Sequence, residues 1–168
     1  MKQGLLMVYT GNGKDKTTAA LGQVFRALGH GFKVCVIQFD KGSWKYGELA
    51  AVEPFKGLLE SHVMGKGFTW ESKNIKDDIR AAKEAWNFAK EAIGSGKFVI
   101  VVLDELTYPM TCGILDTDEV LGALKNRPES LHVLVTGRNA PEALIDAADL
   151  VTEMTDVKHH CNAGIEAQ

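Results

Sequence analysis

Short apolar runs alternate with longer amphipathic stretches along most of this chain. Residues 5–9 form a buried strand and 33–39 a second one rich in Val and Ile, while 98–103 is a continuous apolar run, the pattern of a strand covered on both faces. Residues 131–136 and 150–154 are further strands, and 59–63 is a shorter one. Between them, 17–28 is a helix ended by Gly29-His30-Gly31, and 48–55 holds a short helix. In 77–93, Ile79, Ala82, Trp86, Ala89 and Ile93 recur at three- or four-residue spacing, which predicts an amphipathic helix. Asp116 followed by Glu119 forms a capping box that starts a helix to Lys125, and Pro141 opens one to about Ala148. Strands alternating with helices imply an α/β fold with a mainly parallel sheet wrapped on both faces, whose ligands bind beyond the carboxyl ends of the strands.

Composition changes this picture little. The 168 residues fit one domain spanning 1–168, with no repeat or linker to divide it. A net charge of −3 argues against a general nucleic-acid partner. No run approaches the roughly 20 apolar residues that cross a bilayer. The start, Met1-Lys2-Gln3-Gly4-Leu5, lacks the apolar core and cleavage site of a signal peptide, so a cytoplasmic protein is expected. Cys35, Cys112 and Cys161 are far apart and odd in number, which fits reduced thiols better than a disulfide or zinc framework.

The first strand leads straight into Gly11-Asn12-Gly13-Lys14-Asp15-Lys16-Thr17-Thr18, which then opens a helix. Glycines turn backbone N–H groups toward an anion, and the helix N-terminus adds partial positive charge. Lys16 can reach phosphate oxygens, and a threonine hydroxyl can ligate Mg²⁺. The spacing is one residue shorter than G-x-x-x-x-G-K-[ST], and Asp15 stands at the second glycine. The competing reading is a Gly/Asn hairpin turn with a lysine nearby. Asp15 repels a triphosphate unless Lys14 and Lys16 compensate or its side chain faces solvent.

Residues 99–105 form an apolar strand ending in Asp104-Glu105, a Walker B pattern expected to lie beside the first strand and to face a magnesium ion. The two acids cannot point the same way, so one holds the metal and the other fixes a loop; otherwise they simply end a strand. Arg138, after the strand at 131–136, suits phosphate oxygens or is a solvated charge. His159 and His160 are adjacent, and adjacent side chains usually diverge. With no spaced partner, His159 is given a structural part and His160 the surface.

Together these pieces resemble the P-loop family of ATP:corrinoid adenosyltransferases. That family's loop reads Gly-Asn-Gly-Lys-Gly-Lys-Thr-Thr, matched here from Gly11 to Thr18 except at Asp15. Further matches are Val36-Ile37-Gln38-Phe39 with Lys41-Gly42, Gly67-Phe68-Thr69-Trp70-Glu71, Val102-Leu103-Asp104-Glu105-Leu106-Thr107-Tyr108, Thr136-Gly137-Arg138 and Val157-Lys158-His159. The chain is similar to the family over nearly its whole length, and the resemblance implies a P-loop NTPase-like three-layer α/β/α fold with a mainly parallel sheet.

The resemblance implies that a Co(I) corrinoid (cobalamin, cobinamide or cobyrinic acid diamide) attacks the 5′ carbon of ATP and triphosphate leaves. Gly11, Asn12, Gly13, Lys14, Asp15, Lys16, Thr17, Thr18 and Arg138 would bind ATP. Thr17 and Glu105, with Asp104 next, would hold Mg²⁺ or Mn²⁺. Phe68 and Trp70, otherwise ordinary core aromatics, would press on the corrin face and displace its lower ligand. A homodimer and a flavoprotein reductant are the implied partners. Family members often carry an N-terminal extension that covers the site, and here few residues precede Leu5. The alternatives are a P-loop phosphotransferase or ATPase, and a protein that binds ATP and corrinoid without turnover.

Overall fold

The computed structural model describes residues 3–40, 47, 51, 53–55, 57–65 and 75–164. In chain order these form β1 (Leu6–Thr10), α1 (Lys16–Gly29), β2 (Val34–Gln38), a 3-10 turn (Glu53–Phe55), β3 (Leu59–Val63) and α2 (Ile75–Gly94). Then follow β4 (Ile100–Asp104), α3 (Thr107–Thr111), α4 (Thr117–Lys125), β5 (His132–Thr136), α5 (Glu142–Ala147), β6 (Leu150–Glu153) and a last 3-10 turn (His160–Ala163). Each strand expected from an apolar run is present, within two residues at either end. The capping box is present too: the Asp116 carboxylate accepts from the Glu119 amide. Half of the helix expected over 48–55 lies outside the described residues; Ala51 is helical and Glu53–Phe55 is a 3-10 turn. The short α3, which contains Pro109, is an element that no periodicity in the sequence marks.

The sheet order is β3-β2-β4-β5-β1-β6, and all its pairs are parallel. One expectation is corrected here. The strand ending in Asp104 does not lie beside β1, because β5 is inserted between them.

Side-chain alternation sends the residues of β1, β2, β4 and β5 to two cores, while β6 is exposed throughout. Leu6, Val8, Cys35, Ile37, Val101, Leu103, Val133 and Val135 pack with Trp86, Ala89 and Ile93 of α2 and with Val120, Leu124 and Leu144. Met7, Tyr9, Val34, Val36, Val102 and Leu134 pack with Ala20, Val24, Ala27 and Leu28 of α1. Helices therefore cover both faces, as the apolar runs required. Burial pushes the Cys35 thiol up to about 12, so this cysteine is an inert core residue. Among the described residues no helix is long and apolar enough to cross a membrane.

Candidate active site

Parity decides which side chains reach the rim where β1 ends and α1 begins. Val34, Val36, Val102 and Leu134 all face α1. The next residues of the same parity are Gln38, Asp104 and Thr136, which end three adjacent strands on that same face. Gln38 and Asp104 are directly opposite in the β2–β4 register. Three buried polar groups thus meet under the first turn of α1, each 1% exposed or less.

Asp104 is the hub. Its Oδ1 accepts from the Thr17 hydroxyl at 2.8 Å and from the Thr136 hydroxyl at 2.7 Å, and its Oδ2 accepts from Gln38 Nε2 at 3.4 Å. Thr136 Oγ1 in turn accepts from the Glu105 amide at 2.9 Å. This places Asp104, rather than Glu105, against the threonine that opens α1. Glu105 takes a positive φ of 60° and is half-buried nearby. Burial, and then the Asp104 charge, push its carboxyl above the ordinary range, with Lys16 and Arg138 pulling the other way.

The loop ahead of α1 wraps around Lys16. This lysine is 6% exposed and donates from Nζ to the Gly11 carbonyl at 2.9 Å and the Gly13 carbonyl at 2.7 Å. Burial lowers its pKa, and the nearby Glu105 charge acts to raise it. Gly11 sits at φ 95°, and a Cβ there would lie 2.4 Å from the Met154 carbonyl oxygen. Gly13 is equally confined and donates its amide to Met154 O at 2.7 Å, so that N–H is already engaged. The segment after β6 therefore forms one wall of the loop.

Asp15 resolves the concern its charge raised. It adopts φ 78°, a left-handed conformation that favours glycine, and immediately precedes α1. Its side chain is exposed and accepts from Lys14 Nζ at 2.8 Å and the Thr18 hydroxyl at 3.4 Å. The Lys14 hydrogen bond holds its carboxyl below the ordinary range. Asn12 and Lys14 are exposed on the loop, and Arg138 is exposed beyond β5. The turn carrying Arg138 is tied down where the Thr107 hydroxyl donates to the Arg138 carbonyl at 2.7 Å.

Gln38 and Thr136 were given no role from sequence. The signal was a polar residue ending an apolar strand, in step with Asp104. The Gln38 Oε1 atom is buried and has no hydrogen-bond partner among the described residues. Phe68 and Trp70 lie outside the described residues. His159 and His160, expected to diverge, instead lie ring to ring, with centroids 4.5 Å apart and planes at 31°. The 3-10 turn at His160–Ala163 bends the chain back there. His160 is half-buried rather than on the open surface.

Known proteins place this architecture. Over 91% of this chain and 72% of the other, the fold matches flagellar accessory protein FlaH from Methanocaldococcus jannaschii, with a TM-score of 0.59 and 10% identity. The RadB recombinase gives 0.54 over 94% of this chain and 77% of the other, at 18% identity. At those identities the likeness is one of fold, the P-loop α/β class. In sequence, the chain is 47% identical over 167 residues to a corrinoid adenosyltransferase of Pseudomonas aeruginosa, covering 99% of this chain and 82% of that one. It is 44% identical to the corrinoid adenosyltransferase of Escherichia coli K12, covering 99% and 84%. Residues 2–168 match the family described as ATP:corrinoid adenosyltransferase BtuR/CobO/CobP. This chain therefore belongs to the ATP:corrinoid adenosyltransferase family.

Proposed function

We propose that this chain acts as a single domain that transfers the 5′-deoxyadenosyl group of ATP to the Co(I) of a corrinoid, with cob(I)alamin among its substrates. In the step, a cobalt–carbon bond forms at C5′ and the C5′–oxygen bond breaks. The bonding pair leaves with inorganic triphosphate. Cobalt supplies the attacking electrons, so the protein's part is to hold the leaving group's charge and expose C5′.

The observation that carries this reading is the buried lysine curled inside a glycine loop, immediately followed by a threonine bonded to Asp104. Lys16 would exchange its two carbonyl partners for phosphate oxygens. The α1 N-terminus and the amides of Gly11, Asn12 and Lys14 would add donors, as would Arg138 from beyond β5. Gly13 contributes close approach rather than a free amide.

Thr17, Asp104 and Glu105 offer only hard oxygen donors, the set that fits Mg²⁺ or Mn²⁺. Asp104 is the better placed acid because it already touches Thr17. Bound there, the ion would neutralise charge on the triphosphate. Phe68 and Trp70 keep the corrin-facing role that the family resemblance implies. The resemblance also supports a homodimer, a flavoprotein electron donor and a cytoplasmic setting.

Anaerobic incubation with ATP, Mg²⁺ and chemically reduced cobalamin tests the proposal. The visible spectrum of a cobalt–carbon bond, with triphosphate as the phosphorus product, is the expected outcome. ADP and phosphate without that spectrum would identify an ordinary phosphotransferase or ATPase. Phe68→Ala is expected to bind ATP normally and lose most turnover of a corrinoid with an intact lower ligand.

A further inference from the structure

A second set of donors lies beside the phosphate loop, with chemistry unlike that of Thr17 and Asp104. The ligand atoms of His159, His160 and Cys161 all fall within 4.8 Å of one another. His160 Nδ1 and Cys161 Sγ are 3.7 Å apart. Tetrahedral zinc, with Zn–S near 2.3 Å and Zn–N near 2.05 Å, sets its sulfur and nitrogen ligands about 3.6 Å apart. That pair is thus already at ligand spacing. His159 Nδ1 accepts from the Cys161 amide at 3.2 Å, so this nitrogen turns a lone pair, the ligating form of imidazole, into the same turn.

The turn itself is held in shape. Gly164, at φ 74°, closes it, with its amide donating to the Cys161 carbonyl at 2.9 Å. The histidines are half-buried and their rings are in contact, while Cys161 is open to solvent. Both histidines line a cavity of about 260 Å³ that Lys14, Asp15 and Lys158 also border.

We propose that His159, His160 and Cys161 form a site for one borderline-soft divalent ion of the zinc class. Two imidazoles and a thiolate select zinc-like ions over magnesium, which prefers oxygen. The ion replaces the proton between Cys161 and His160 and takes over the His159 lone pair from the Cys161 amide; the thiol proton goes to solvent. Three protein ligands leave the fourth position to water. Because the turn borders Lys14 and Asp15, occupancy fastens the segment after β6 beside the phosphate loop. This site is separate from the ATP metal and stands whether or not the proposed transferase reaction is correct.

Titration of the full-length reduced protein with Co²⁺, then back-titration with Zn²⁺, tests it. One equivalent is expected to give sulfur-to-cobalt charge-transfer absorption, displaced by Zn²⁺ and not by excess Mg²⁺. Cys161→Ser should abolish the absorption, and His160→Ala should weaken Zn²⁺ competition at least tenfold. Both variants should keep the wild-type thermal midpoint without metal and wild-type ATP affinity. Cys112→Ser, which removes the other exposed thiol, should leave the absorption intact. Absence of saturable absorption would overturn the proposal. So would absorption that survives Cys161→Ser, or Zn²⁺ affinity indifferent to His160→Ala.

Discussion

The two ends of the one parallel sheet are built on opposite principles. At the amino-terminal end Arg127 is 14% exposed and staples separate segments. It donates to the carbonyls of Leu124 at 2.9 Å, Gly4 at 3.1 Å and Leu131 at 3.3 Å, and to Asp149 Oδ2 at 3.3 Å. Asp149 Oδ2 also accepts from the Leu6 amide at 2.7 Å. Among the described residues no buried side-chain polar atom at that end lacks a hydrogen-bond partner. At the carboxyl end, non-glycine residues hold positive φ at Asp15, Glu105 and Asn139, Gln38 Oε1 has no partner among the described residues, and a lysine and a carboxylate are buried. Such tension is unfavourable in the resting protein and persists where a ligand makes use of it. Stability is concentrated at one end of the sheet and binding at the other.

Substitutions at the two ends should therefore break different properties. The largest effect is expected from Lys16→Met, which should weaken ATP binding by about 10²–10³-fold while the thermal midpoint stays level or rises. Calorimetric titration and thermal unfolding on the same sample check both halves. Arg127→Ala should do the reverse, costing about 3 kcal/mol of stability, a midpoint lower by about 6–12 °C, with ATP affinity unchanged at a temperature where the variant is folded.

Glu105→Gln sharpens the contrast through pH. The Glu105 carboxyl is pushed up from its ordinary 4.5 by burial and by Asp104. Between that value and the raised one, the folded state binds more protons than the unfolded state. The contribution of Glu105 to stability is thus full below the ordinary value and lost as pH rises through the raised one. The variant should be more stable than wild type near neutral pH, with the gap closing toward pH 4.5 and below. The smallest effect is expected at Asp15→Gly, which relieves the left-handed strain. It should raise the midpoint by about 1–2 °C and tighten ATP binding by about twofold.

Much of the fold was legible because burial on both faces leaves uninterrupted apolar runs, as in 98–103, and because helices announce themselves by spacing and caps, as at Asp116. The phosphate loop was legible for a similar local reason, since strand, glycines, lysine and helix are contiguous. Strand order was not legible. The insertion of β5 between β1 and β4 depends on long-range pairing, which no local pattern encodes. That is why Gln38 and Thr136 escaped notice: they belong to the site only because β2, β4 and β5 are neighbours in register with Asp104. The five-residue α3 also escaped, too short for any period to show. The converging histidines were missed because a 3-10 turn overrides the usual divergence of adjacent side chains.

The account rests on where three phosphates and one methylene carbon sit relative to this rim. A crystal structure with ATP and Mg²⁺ bound measures that directly. It should find the triphosphate on the loop from Gly11 to Thr18, with Lys16 moved from the Gly11 and Gly13 carbonyls onto phosphate oxygens and C5′ facing open space. A loop without phosphate, or C5′ enclosed by protein, would contradict it.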